Sequence, residues 1–204
     1  MLVTINPDNI DDRIIKQAVN SLKNGGVIIF PTDTVYAIGC DVLNKKGLAE
    51  LTRIKGFKKN KAHFSIICSS LSDLSLYVKQ IDRSTFKSLK QCLPGPFTFI
   101  LKATNEVAKL FDSNKKEIGI RIPANPIILR IVEELGNPIA TSSLHNEDDE
   151  LMDYFVDPYV IYEQFDDQVD LIIDGGYGKL EASTIIDFTD VEPIVVRQGI
   201  GTLP

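Results

Sequence analysis

Residues 25–41 (Gly-Gly-Val-Ile-Ile-Phe-Pro-Thr-Asp-Thr-Val-Tyr-Ala-Ile-Gly-Cys-Asp) join an uninterrupted apolar segment to a loop rich in short hydroxyl side chains. Val27 to Phe30 read as a buried strand, because consecutive apolar residues leave neither face of a strand for water. Pro31 cannot donate to a sheet ladder and closes that strand. Thr32, Asp33 and Thr34 then stand where the sheet of an α/β protein opens into a crevice. The loop reads either as a ligand site or as an ordinary strand exit in which Thr and Asp bond their own backbone.

Helical and strand periods alternate along the rest of the chain. Ile10, Ile14, Ile15, Ala18, Val19 and Leu22 share a helical face, and Gly25 is placed to stop that helix before the strand at 27–30. Asn44 is positioned to cap a second helix carrying Leu48, Leu51 and Ile54, with Gly56 at its end and a strand from Phe64 to Cys68 beyond. Helices are expected near 71–78 and 83–92, the latter capped by Asp82, followed by strands at 97–102 and 118–122. Pro126 takes the favoured first helical position after Asn125, and Gly136 ends that helix before a strand at 139–143. Strands near 169–173, 183–187 and 193–197 close the chain. This interleaving predicts an α/β fold, and the adjacent short strands at the C-terminal end predict a mixed sheet.

The 204 residues, 44% of them apolar, suffice for one sizeable core, and residues 1–204 are read as a single domain. No apolar stretch approaches the ~20 residues needed to span a bilayer, so a cytoplasmic, membrane-free protein is expected. Cys40, Cys68 and Cys92 are odd in number and widely spaced, which suits reduced core thiols. A net charge of −6 argues against broad nonspecific binding to nucleic acid, leaving weak local RNA binding open.

Arg53, Lys55, Lys58, Lys59 and Lys61 reverse the acidic balance locally and read either as a polyphosphate site or as a solvated basic loop. Thr141, Ser142 and Ser143 follow a strand and offer hydroxyls to phosphate oxygens, or simply form a turn. His145 beside Glu147, Asp148, Asp149 and Glu150 reads as part of an exposed acidic loop, and no metal site is assigned. Arg121 interrupts an apolar strand, so its charge requires an internal carboxylate or a ligand. Ser183, Thr184 and Arg197 either stitch neighbouring strands or reach a ligand. Residues 175–179, Gly-Gly-Tyr-Gly-Lys, fail as a phosphate-binding P-loop, because Ile173 stands where the motif needs glycine and Leu180 where it needs a hydroxyl.

The loop at 25–41 resembles the opening of the YrdC/YciO family, and later segments agree in order: residues 93–98, 118–123, 138–143, 174–176, 183–187 and 196–199. The opening at 5–9 and the Asn125-Pro126 pair look more like the YciO branch. The resemblance implies a twisted open sheet with helices on its faces and a large concave pocket. It implies a threonylcarbamoyl-AMP synthase using ATP, threonine and bicarbonate, with Mg²⁺ accompanying ATP as substrate, in the pathway that modifies adenosine in tRNA. Thr32, Thr34, Tyr36 and Arg121 would then contact threonine and bicarbonate, and Lys55, Lys61, Ser143, Thr184 and Arg197 the nucleotide. Two positions depart from the synthase pattern. Phe57 replaces the arginine of a K-x-R motif, and His145 replaces the asparagine of S-x-N. Both favour the alternative of a YciO-like protein that binds RNA or a nucleotide with little or no synthase activity.

Overall fold

Helix α1 (Asp12–Lys23) buries Ile15, Ala18, Val19 and Leu22 along one stripe, and the Asp11 carboxylate caps it by accepting from the Arg13 amide. In the computed structural model, which describes residues 1–57, 64–144, 155–190 and 192–203, strand β1 (Leu2–Thr4) precedes this helix. Gly25 turns the chain at φ +82°, a conformation that costs glycine nothing, into β2 (Val27–Phe30), which is wholly buried. Strand β3 (Ala37–Asp41) returns antiparallel to β2, so the polar loop at 31–36 is a hairpin connection.

Helix α2 (Lys45–Ile54) starts on Asn44, whose side chain accepts from the amides of Lys46 and Gly47. Beyond it lie β4 (Ser65–Ile67), α3 (Arg83–Cys92), β5 (Phe97–Lys102), α4 (Asn105–Leu110) and β6 (Glu117–Arg121). Helix α5 (Pro126–Leu135) is capped by Asn125 and ends on Gly136 at φ +81°. Then come β7 (Ile139–Ser143), α6 (Pro158–Phe165), β8 (Leu171–Asp174), β9 (Thr184–Asp187) and β10 (Ile194–Arg197).

These strands form one sheet in the order β1-β8-β2-β3-β7-β4-β6-β5-β9-β10. Pairing is mixed: β8 runs parallel to β1 and β2, whereas β3 and β7 run antiparallel to each other. Helices α1 and α5 cover the face carrying Ile28, Phe30, Ile67 and Ile139. Leu48 and Leu51 of α2 and Leu89 of α3 pack on the opposite face with Val27, Ile38, Ile66, Phe99 and Ile120. Among the described residues no helix is long and apolar enough to cross a membrane. Cys40, Cys68 and Cys92 are free and buried, and burial raises all three thiols, Cys68 to about 12.

Five elements differ from the sequence reading. The helix expected near 71–78 is a short 3₁₀ turn, Leu71–Leu76, its start tied down by Asp73, which accepts from the Ser69 and Ser70 amides. Strands β1 and β3 and helices α4 and α6 were not anticipated. Helix α6 is apolar nearly all round, which removes the periodic signal, and β3 carries only a short apolar run broken by Gly39.

Candidate functional site

The hairpin loop after β2 folds over the end of β6. Thr32 donates its hydroxyl proton to the Val35 carbonyl at 2.7 Å and accepts from the Thr34 amide at 3.0 Å. With that proton placed, the 3.1 Å contact between the two threonine hydroxyls has Thr34 as donor. Thr34 Oγ1 in turn accepts from Arg121 Nη2 at 3.1 Å. A directed chain of hydrogen bonds therefore runs from Arg121 through Thr34 and Thr32 to the backbone, each bond polarising the next.

Asp33 fastens this loop from the other side. Its carboxylate accepts from Arg121 Nη2 at 3.0 Å and from the Ala124 amide at 3.0 Å, tying the loop to the turn between β6 and α5. The ion pair is almost fully desolvated, with side-chain exposures of 4% and 7%. Burial lowers the pKa of Arg121, Asp33 opposes that shift, and the neighbouring charge of Arg197 adds to it. Two guanidinium groups thus lie near one another, with Asp33 paired to Arg121. Arg121 Nε is buried and has no hydrogen-bond partner among the described residues. A buried donor left unmade costs about 1–3 kcal/mol, and such a cost persists in native proteins chiefly where a ligand, ion or water relieves it.

Arg197 lies against β9, where its Nε and Nη2 donate to the Ser183 carbonyl at 3.3 and 3.0 Å. The Ser183 hydroxyl meets that of Thr98 at 2.8 Å, and both residues are buried. Lys55 Nζ donates to the Ser143 carbonyl at 3.2 Å, which brings together two residues expected to bind a nucleotide. Lys61 and His145 lie outside the described residues.

Two further residues of the expected site are engaged within the protein. Thr184, read either as a stitch between neighbouring strands or as a ligand contact, donates its hydroxyl to the Gly201 carbonyl at 2.6 Å and accepts from the Gly199 amide, clasping the C-terminal segment. Successive residues of a strand alternate faces, so Ser183 and Ile185 share one side of β9 and Thr184 takes the other. Tyr36 is fully buried, and its hydroxyl donates to the Gly176 carbonyl at 2.7 Å while accepting from the Gly175 amide. These two bonds tie the loop at 31–36 to the 175–176 turn. Lys179 adds a second fastening through its amide to the Thr34 carbonyl. Asp33 was missed as a site residue, and the available signal was its position between two hydroxyls facing a buried arginine.

A family model of the Sua5/YciO/YrdC type, described as "Telomere recombination", matches residues 20–199. The chain belongs to this family. The uncharacterized protein YciO of Escherichia coli strain K12 is 41% identical over 198 residues, covering 97% of this chain and 94% of that protein. A threonylcarbamoyl-AMP synthase of Coxiella burnetii is 29% identical over 172 residues, covering 84% of this chain and 90% of that one. The crystal structure of E. coli YciO superposes with a TM-score of 0.89 at 40% identity, over 99% of this chain and 97% of that one. Pyrococcus abyssi Sua5 complexed with L-threonine superposes with a TM-score of 0.86 at 26% identity, over 98% of this chain and 57% of the longer archaeal protein. Membership of the Sua5/YciO/YrdC family accounts for the mixed sheet and the order of its motifs.

Proposed function

We propose that this chain is a threonylcarbamoyl-AMP synthase-like enzyme that uses ATP, threonine and bicarbonate. The observation that carries the reading is the buried Arg121, whose Nε lacks a partner among the described residues while Arg197 adds a second positive charge beside it. That pair suits the carboxylate of an amino acid, which a guanidinium recognises as a planar acceptor. Support comes from the synthases among its relatives and from the family structure described as complexed with L-threonine.

The chemistry asks little covalent work of the protein. Threonine's amine takes up bicarbonate to give a carbamate and water. A carbamate oxygen then attacks the α-phosphorus of ATP, the bond to the bridging oxygen breaks, and pyrophosphate leaves with the electron pair. Rate comes from holding the two reactants in line and from cations facing the charge that develops. Arg121 and Thr34 would fix the amino acid, and Lys55 beside Ser143, with Lys61, would face the triphosphate, to which Mg²⁺ is bound as part of the substrate.

A second reading is favoured by Phe57, whose ring packs on Phe64 with centroids 5.4 Å apart where synthases of this family carry a phosphate-binding arginine. On that reading the chain binds a nucleotide or RNA and turns over little or nothing. One assay separates the two: pyrophosphate release by the purified protein with ATP and bicarbonate, with and without threonine. Threonine-dependent release supports the synthase, ATP or RNA binding without release supports the second reading, and neither binding nor release overturns both.

A further inference from the structure

Helix α3 exposes a stripe of one sign. Arg83, Lys87 and Lys90 stand four and three residues apart, which puts them on one side of the helix along about 10 Å, and Phe86, 45% exposed, lies among them. No residue of the helix is acidic, and Asp82 before it is spent on the cap, where its carboxylate accepts from the Ser84 and Thr85 amides. Among the described residues none of the three cations forms an ion pair. Like charges at these spacings repel one another, so the stripe weakens its own helix. A partner that supplies carboxylates removes that repulsion.

The chain itself carries the matching surface. Helix α6 exposes Tyr159, at 63%, and Glu163. Asp167 follows four residues later in a turn that continues the helical bonding, since the Val169 amide reaches back to the Phe165 carbonyl. Neither α6 nor the turn as far as Asp170 contains a cation. Glu163 and Asp167 form no ion pair among the described residues, whereas Asp166 between them is held by the N-terminal ammonium at 2.8 Å. The two stripes are thus of similar length and opposite sign, each with an exposed aromatic ring. Aromatic residues and arginine are enriched where proteins meet.

Their placement lets the contact close. Leu89 of α3 and Ile161 of α6 belong to one core on the same face of the sheet. Helix α6 packs on β8 near one edge, and α3 leads into β5 near the other, with five strands between them. A twofold axis along the strands, set above this face, carries each α3 to the other copy's α6, so two equal contacts form and neither is left open. We propose that a second copy of this chain docks here, α3 of each protomer against α6 of the other. The pairing uses no residue of the candidate site, and it withdraws the α3 cations from nucleic acid.

Sedimentation equilibrium of the full chain tests this. The expected result is a dimer at low salt whose dissociation constant rises at least about tenfold between about 50 and 500 mM salt, because exposed charge pairs are screened. Lys87→Glu/Lys90→Glu and Glu163→Lys/Asp167→Lys should each be monomeric alone, since like charges then face each other. An equimolar mixture of the two should restore the dimer, because each contact again joins opposite charges, and a folding defect cannot produce that restoration. A chain that stays monomeric at low salt overturns the proposal whatever its α3 stripe then binds, and this result needs no variant to fold. A dimer that persists in either variant alone overturns it too, as does a mixture of folded variants that stays monomeric.

Discussion

Arg121 and Asp33 form an ion pair of 3.0 Å across 88 residues of sequence, with both side chains withdrawn from water. The pair holds a hydroxyl-bearing loop against the end of a strand, and it does so with a guanidinium that retains a nitrogen unpartnered among the described residues. Removing one member of a buried pair strands the other's charge. Asp33→Ala should therefore cost about 3–5 kcal/mol of stability. The double variant Asp33→Ala/Arg121→Met should recover part of that loss, because no charge is then left buried. Equilibrium urea unfolding of both variants decides it, and a double variant no more stable than the single one contradicts the account.

Lys115 makes stability depend on pH in a defined window. Its folded pKa of about 8 lies below the ordinary 10.5, so between those values the unfolded chain binds a proton that the folded chain does not. Stability contributed by this group must then rise with pH across the window, and the penalty is fully present below it. The urea midpoint of the unaltered protein should gain on that of Lys115→Met between pH 8 and 10.5. Parallel pH profiles for the two proteins would exclude the effect.

Much of the scaffold was legible because its signals are local. Asn44, Asp82 and Asn125 all cap the helices expected of them, each accepting from amides two and three residues on. Those bonds join near neighbours in sequence, so spacing alone reveals them. The site was legible in part. The density of hydroxyls at Thr32 and Thr34 marked the loop, and the solitary charge of Arg121 in an apolar strand marked its partner's need. Which carboxylate answers that need depends on a contact between distant segments, and no local pattern reports it. Which of Ser183 and Thr184 faces the site depends on the phase of a strand only four residues long, where a shift of one residue exchanges the two faces.

If Lys55 faces the triphosphate, Lys55→Ala should weaken ATP binding by about 1–3 kcal/mol, the range for hydrogen bonds to charged groups. Lys61→Ala should act in the same direction. Calorimetric titration with Mg²⁺-ATP measures both, and unchanged affinity in the pair of variants would return this stretch to an ordinary basic loop.

Phe57 offers no donor where synthases of the family place a planar cation. Phe57→Arg should raise threonine-dependent pyrophosphate release, since a bidentate donor would face the phosphate charge of the transition state. The variant also removes a ring contact with Phe64, so its folding is checked by urea unfolding before the assay. A folded variant that binds ATP and shows no gain places the limit on turnover elsewhere in the site.

Nucleic-acid binding is set by how many cations of the basic cluster can reach phosphates. The sequence offers Arg53, Lys55, Lys58, Lys59 and Lys61 in a chain of net charge −6. Arg53 is engaged with Glu50 at 2.6 Å, and Lys55 donates to the Ser143 carbonyl inside the site. The tally for an external backbone falls to Lys58, Lys59 and Lys61. At roughly −0.9 per phosphate for a duplex, three contacts give a salt slope near −2.7, against about −4.5 for all five. Affinity from so few contacts is weak at low salt, and repulsion from the acidic remainder of the chain opposes it further. RNA binding measured across a salt series should therefore be detectable only at low ionic strength and largely lost near physiological salt. Tight binding with a shallow slope would require base stacking or recognition of RNA shape, and would favour the binding reading of this fold over the enzymatic one.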